Sequence, residues 1–551
     1  MLRDLVTAAR GSSRRRDGTG SRFHGIALIA TLVAMLVAVA GCGSTGATST
    51  SSPGADPASL APAGSAGYFS AVVRPSGSLA SGALDAAREI SRLSDPFGDL
   101  VQAADRSASG SGSGFNYTRD IAPWLGPRVG VFVDPTPGIP LSHTAYAVIA
   151  DSTNSSKAMT FLDKLLRHGS DSGSVVSHSY RGTSYDTSGQ SIGGQAGAMV
   201  KGFAVYGSVP GVEKVIDTAS GGSSLAGASA YQSSGAATAS GALAGGYLNY
   251  ESLVSLISES GGPAAAEAPL LGLTLAKAGV HSVGFTLSAT GSALAMNVFT
   301  SLPVSNGAKT RTASSALATL PGDAWFGFGL GNLGAGVSRG LAELGGTSGG
   351  SAGASGIFSL LDSHLHGLRI ERDILPWLGD AGLFVTGDNL QTLGGALVIH
   401  STRPAASKAA VPRIRAALAG IRGVVVRTAS IRGADAAISV SKAGLPFVVY
   451  IVDGNGRFAI ALGAQAAEQA LRPSSTLASS AVYHSASDEL GQGIQPSFLL
   501  SIPSLAALVL PHIGAATAAK VSSYVQAFTV LAIGAQRSGS KVTSRLVVGL
   551  R

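Results

Sequence analysis

Arg119-Asp120-Ile121-Ala122-Pro123-Trp124-Leu125-Gly126 returns as Arg372-Asp373-Ile374-Leu375-Pro376-Trp377-Leu378-Gly379, about 250 residues further on. Self-similarity at a fixed spacing marks a duplicated architecture. The flanks extend it in the same order. Gly67-Tyr68-Phe69 is matched with Ala324-Trp325-Phe326, and Arg181-Gly182 with Arg432-Gly433. Phe203-Ala204-Val205 is matched with Phe458-Ala459-Ile460, Leu225-Ala226 and Tyr231 with Leu477-Ala478 and Tyr483, and Tyr247-Leu248 with Phe498-Leu499.

One copy, read for periodicity, places a strand near 67–73, a helical stretch near 80–104 and strands over 128–133 and 144–150. A helix follows over 155–167, with Met159, Leu162, Leu165 and Leu166 on one face. Short β-runs at 174–187 and 196–206, a helix near 211–218, a strand near 244–249, a short helix and a hairpin over 280–300 close the copy. In the second copy Asp453-Gly454-Asn455-Gly456, between two apolar runs, is a strong hairpin signal. Short turns between adjacent strands imply antiparallel pairing. The expected fold class is α+β: two tandem homologous lobes, 67–304 and 320–551, each a mainly antiparallel sheet with packed helices. They meet near Ser305–Thr319.

The motif has a local reading. Pro123 and Pro376 fix φ at a turn, and Gly126 and Gly379 supply a left-handed exit. Trp124 and Trp377, with Leu125 and Leu378, anchor the turn in the core. Arg119 and Asp120, like Arg372 and Asp373, pair locally or cap it. The duplicated Asp-Ile-x-Pro-Trp-Leu-Gly, with its β-run and the later Leu-Ala-x4-Tyr segments, resembles a family of exported bacterial proteins known only as a domain of unknown function. The resemblance covers most of residues 65–550. It implies export and an α+β fold, and supplies no catalytic residues.

The N-terminus gives an address. Arg3, Arg10, Arg14, Arg15, Arg16 and Arg22 precede an apolar run from Ile26 to Ala40, followed by Val39-Ala40-Gly41-Cys42. Basic, apolar and small-residue segments in that order read as an export signal over 1–41. The run holds 15 residues, whereas a membrane span needs roughly 20. Val-Ala-Gly-Cys resembles the lipobox of bacterial lipoproteins. That resemblance implies a diacylglyceryl group on the Cys42 thiol and cleavage before it. Cys42 is the single cysteine, so no internal disulfide can form. Residues 42–66, rich in Gly, Ser, Thr, Ala and Pro, read as a flexible tether.

The net charge of +8 is misleading. Residues 1–41 carry six Arg and two Asp, so half of it leaves with the signal. The remaining +4 over 510 residues is no nucleic-acid footprint. Phe498–Leu510 is the most apolar later stretch, but it is short and broken by Pro503.

Motifs that suggest chemistry are weak here. Gly329-Leu330-Gly331-Asn332-Leu333-Gly334 fits the dinucleotide glycine pattern, but the parallel βαβ unit it needs is not expected. Gly346-Thr347-Ser348-Gly349-Gly350 matches a nucleophile elbow inside a low-complexity stretch, where such matches arise by chance. His364 and His366 stand two apart, which on a helix points them to different sides. No cofactor or metal is expected. The sequence therefore reads as a lipid-anchored, extracytoplasmic envelope protein. Its partners are the membrane through the N-terminal lipid and an apolar ligand or envelope protein. The expected role is non-enzymatic binding or assembly. The alternatives are a carrier of an apolar ligand or lipid, and an envelope hydrolase whose residues converge only in three dimensions.

Overall fold

Two-residue turns set the hairpins. Arg181-Gly182, Lys201-Gly202 and Asn455-Gly456 have positive φ at both residues, the conformation that lets right-twisted strands meet in a tight hairpin. The computed structural model describes residues 55–110, 114–135, 144–170, 174–189, 194–236, 241–259, 279–302, 313–338, 368–444 and 447–551, with a few positions between 268 and 276. In it these turns join β4 (Val176–Tyr180) to β5 (Thr183–Thr187), β6 (Gln195–Val200) to β7 (Phe203–Ser208), and β16 (Val449–Gly454) to β17 (Arg457–Leu462).

The structure is mixed helix and strand, with extensive antiparallel sheet, and divides into two compact units. The first runs through Thr290 and takes in Phe299–Leu302. The second runs from Pro303 and takes in Glu89–Arg92 and Gly291–Val298. The remaining strands of the first unit are β1 (Gly67–Val72), β2 (Leu125–Asp134), β3 (Ala145–Ser152), β8 (Ala244–Asn249) and β9 (Ser282–Ala289). Its pairings are all antiparallel, in the order β4-β5-β6-β7-β3-β2-β1-β8-β9. After β10 (Ala293–Ser301), the second unit contains β11 (Phe326–Leu330), β12 (Leu378–Thr386), β13 (Gly394–Ser401), β14 (Val424–Thr428), β15 (Ala436–Lys442), β18 (Pro496–Ser501), β19 (Phe528–Ser538) and β20 (Lys541–Leu550). These pair in the order β14-β15-β16-β17-β13-β12-β11-β18-β19-β20.

Strand side chains alternate between faces, and each sheet carries a helix-packed core on both faces. In the first unit Phe132, Ala147, Ile149 and Val205 pack with Val212, Val215 and Ile216 of the helix Val209–Ala219. On the opposite face Val129, Val148, Ala150 and Ala204 pack with Ala158, Phe161, Leu162 and Leu165 of the helix Ser155–His168. In the second unit Phe384, Ala396, Val398 and Ala459 pack with the helix Ala464–Leu471. Ala381, Ile399, Ile451 and Phe458 pack with the helix Pro404–Ala419.

Four expectations need correction. The helical stretch near 80–104 is two helices, Gly77–Ser91 and Pro96–Gly110. Asp95 accepts a hydrogen bond from Gly98 N at 3.0 Å, and Pro96 opens the second helix, the pairing of a capping acceptor with proline at the first helical position. The tether read over 42–66 is folded at its far end. Asp56 caps a turn at Pro57–Ser59, and Ala58, Leu60 and Ala61 are buried in the first core. Likewise the join read over 305–319 contains a helix, Ala313–Ala318, and Leu317 and Leu320 are fully buried. Finally, matching the copies by letter slips the strands. Gly67 lies opposite Val133 and Phe326 opposite Val385, so the position corresponding to Gly67 is Phe326, two residues beyond Ala324. Phe203 follows its hairpin turn as Arg457 does, so Phe458 corresponds to Ala204. Leu248 and Leu500, not Leu499, occupy one place.

Candidate functional site

Each Pro-Trp-Leu-Gly corner begins in a single π-turn, Tyr117–Ile121 and Ile370–Ile374. A turn that wide leaves an aspartate reaching back to the residue that opens it. Asp120 Oδ2 accepts from Asn116 N at 2.9 Å, and Asp373 Oδ2 from Arg369 N at 3.0 Å. The preceding arginine binds the same carboxylate through Nε, at 2.8 Å for Arg119 and 2.9 Å for Arg372. A second cation comes from the neighbouring helix: Lys164 Nζ reaches Asp120 at 2.8 Å, and Arg413 reaches Asp373 at 2.7 Å. Hydrogen bonding from Arg119 and Lys164 holds the Asp120 carboxyl well below the usual carboxylate range. The Arg372 guanidinium, with Arg369 N and Arg413, holds that of Asp373 down to about 2. The helical cations were not legible in sequence, because they lie some 40 residues from the aspartates they serve.

The tryptophans seal these corners from below. Trp124 Nε1 donates to Asp120 O at 2.8 Å and Trp377 Nε1 to Asp373 O at 2.6 Å. Trp124 is 4% exposed and Trp377 1%. The ring of Trp124 lies 5.4 Å from that of Phe161, and Trp377 lies 4.9 Å from Phe458. Leu125 is buried and Leu378 half-buried. Pro376 stands inside the short 3-10 turn Leu375–Trp377, and Pro123 holds the corresponding place before Trp124. The glycines act otherwise than expected. Neither Gly126 nor Gly379 is left-handed. A Cβ on Gly379 would lie 2.4 Å from His400 O, and one on Gly126 would lie 2.7 Å from the Asp151 carboxyl carbon. Glycine is required by the close approach of the neighbouring strand, not by φ. Both aspartates are thus engaged by local partners, and the arrangement reads as a structural joint whose cations sit at the surface.

An apolar row on the second unit's sheet is open instead. Phe498, Phe328, Leu383, Leu397 and Ile460 stand directly opposite one another across β18, β11, β12, β13 and β17. Directly opposed residues project to one face, here the Trp377 face. The helix Pro404–Ala419 packs over β14 to β17. Phe328, Leu383 and Ile460 nevertheless remain 37%, 39% and 41% exposed, and Leu330 and Leu462 beside them are also exposed. Phe498 meets Phe326 and Phe328 edge to face at 5.5 and 6.4 Å. In the first unit the corresponding row, Phe69, Val131, Val148 and Tyr206, is half-buried or buried. The available sequence signal was that Leu378–Thr386 and Arg457–Leu462 are apolar on both faces.

Gly329 and Gly334 of the glycine pattern serve packing. A Cβ on Gly329 would lie 2.0 Å from Ala313 O, and one on Gly334 2.8 Å from Leu378 O. The strand that carries Gly329, β11, is antiparallel to both neighbours. Cys42, Gly346–Gly350, His364 and His366 lie outside the described residues. Among the described residues no three His, Cys, Asp or Glu side chains gather to hold a metal, and no helix is long and apolar enough to cross a membrane.

No curated protein matches the chain. Among solved structures it is similar to TP0453. Crystal form III matches at 11% identity and TM-score 0.24, over 46% of this chain and 83% of that one. Crystal form I matches at 10% identity and TM-score 0.24, over 46% and 81%. Scores this low carry no structural argument. The model of the family described as a protein of unknown function (DUF3352) matches residues 99–548, and the chain belongs to that family.

Proposed function

We propose that this is a lipid-anchored extracytoplasmic envelope protein that binds rather than catalyses, and that the open face of its second unit receives an apolar, acyl-type ligand. The exposed row Phe328-Leu383-Ile460 carries the reading. Exposed apolar residues gathered on one sheet face point to a binding site more than residues scattered singly do. Leu383→Asp puts a charge in the row at an exposed position, where substitutions change stability by only about 0.5 kcal/mol. It should weaken binding of a fluorescent long-chain fatty acid by about tenfold, since roughly 1.5 kcal/mol of apolar burial is lost. A parent protein that leaves the probe unbound would sink the apolar-ligand reading.

The anchor in this proposal is Cys42. With the chain folded from Asp56 onward, the tether shortens to about a dozen residues, spanning roughly 20 Å root-mean-square. Metabolic labelling with an alkynyl fatty acid should mark the parent chain and leave Cys42→Ala unmarked. Equal labelling of both would remove the anchor.

We further infer that the two units descend from one duplicated unit. The corresponding strand orders support this, and so does a compensated exchange in the cores. Phe161 and Ala204 fill the space beside Trp124, where Ala410 and Phe458 fill that beside Trp377. The large residue has moved from helix to strand, and the volume is kept.

A further inference from the structure

Between β18 and β19 the second unit carries a helical hairpin, Ile502–Val509 and Ala515–Val525. From Ser501 to Phe528 there is no carboxylate, and Lys520 is the one charged side chain apart from His512. Nine large apolar residues lie in it, yet neither helix has a buried residue. Val509, Val521 and Tyr524 are 43%, 37% and 50% exposed. The first helix packs on β19 and against the second helix, so the hairpin is seated on the sheet while its far side faces outward. An apolar helix so exposed needs a cover, and neither helix is of spanning length.

We propose that this hairpin is a second membrane contact, lying in the headgroup region of the bilayer to which the N-terminal lipid tethers the chain. The missing carboxylates and the single lysine favour a bilayer over a protein partner. Acidic side chains would be repelled by anionic lipid, and a tyrosine beside aliphatic residues suits the interface. The choice of the bilayer rests on the anchored reading; the contact itself does not need the lipid.

The test uses the mature chain from position 42 with Cys42→Ala, which cannot be acylated and has no other cysteine. It should co-float with phosphatidylglycerol–phosphatidylcholine vesicles. Val509→Glu, Val521→Glu and Tyr524→Glu together should lower its partition by more than about tenfold. In the same background Val521→Cys carrying an environment-sensitive dye should shift to the blue on vesicles. A parent chain that stays in the aqueous fraction overturns the proposal, whatever Cys42 labelling shows. Equal flotation of parent and triple variant places lipid contact elsewhere and overturns it too. Self-association that the triple variant abolishes, without flotation, makes the occupant a second copy.

Discussion

Trp377→Ala is expected to destabilise the second unit by about 4 kcal/mol, the cost of emptying a large core position that cannot collapse. The indole is fully buried, its Nε1 donates to Asp373 O at 2.6 Å, and the Phe458 ring packs on it at 4.9 Å. Alanine removes the ring contact and the hydrogen bond, empties the site, and leaves that carbonyl without the donor. For a unit of this size each kcal/mol moves the midpoint by about 2–4 °C, so melting should fall by about 10 °C. Trp124→Ala should act similarly but less, because Trp124 is slightly exposed and its aromatic neighbour, Phe161 at 5.4 Å, is further away. Hydrogen exchange locates each effect. Trp377→Ala should expose amides of β12 and the helix Pro404–Ala419 while β2 and the helix Ser155–His168 stay protected. Melting unchanged within about 2 °C in both variants would mean the tryptophans do not hold these corners.

These anchors were legible because an indole set between Pro and Gly, written twice, has little to do except pack beneath the turn that carries it. Hairpins were legible for a similarly local reason: Asn455-Gly456 can take positive φ at both positions, and it does. Register was not. Phe203 and Phe458 match as letters, yet Phe203 packs on the Val205 face and Phe458 on the Trp377 face. A one-residue slip inverts every side chain of a strand, and only the hydrogen-bond partners reveal it. The folded end of 42–66 is not legible from composition, because Leu60 is the one large apolar residue among small ones there, although Asp56-Pro57 carries the signal of a capped turn. The exposed row at Phe328, Leu383 and Ile460 could not be foreseen, since a strand apolar on both faces looks the same whether or not a helix covers it. The charge clusters fall between. Arg372 beside Asp373 is plain in sequence, but Arg413 enters only through the helix that carries it.

That cluster makes the sharpest pH prediction. The Asp373 side chain is 1% exposed, and Arg372 and Arg413 are its partners. Its carboxylate accepts from Arg369 N, twice from Arg372 and once from Arg413. Asparagine offers one oxygen in place of two and turns an NH2 toward the remaining donors. Asp373→Asn should therefore cost about 2–3 kcal/mol at neutral pH, the range for losing charge-assisted hydrogen bonds to a buried group. Because the folded pKa, about 2, lies below the ordinary 3.8, the charged form is favoured by folding. Its contribution is fully present above the unfolded value and disappears as pH falls through the folded one. The parent should lose stability between about pH 4 and pH 2, and the melting gap to Asp373→Asn should close over that window. Asp120→Asn should show the same sign, since Arg119 and Lys164 hold its carboxylate low in the same way. A gap for Asp373→Asn that stays constant from neutral pH into that acid window would show that the carboxylate charge contributes nothing, and that the corner is held by the tryptophan and backbone alone.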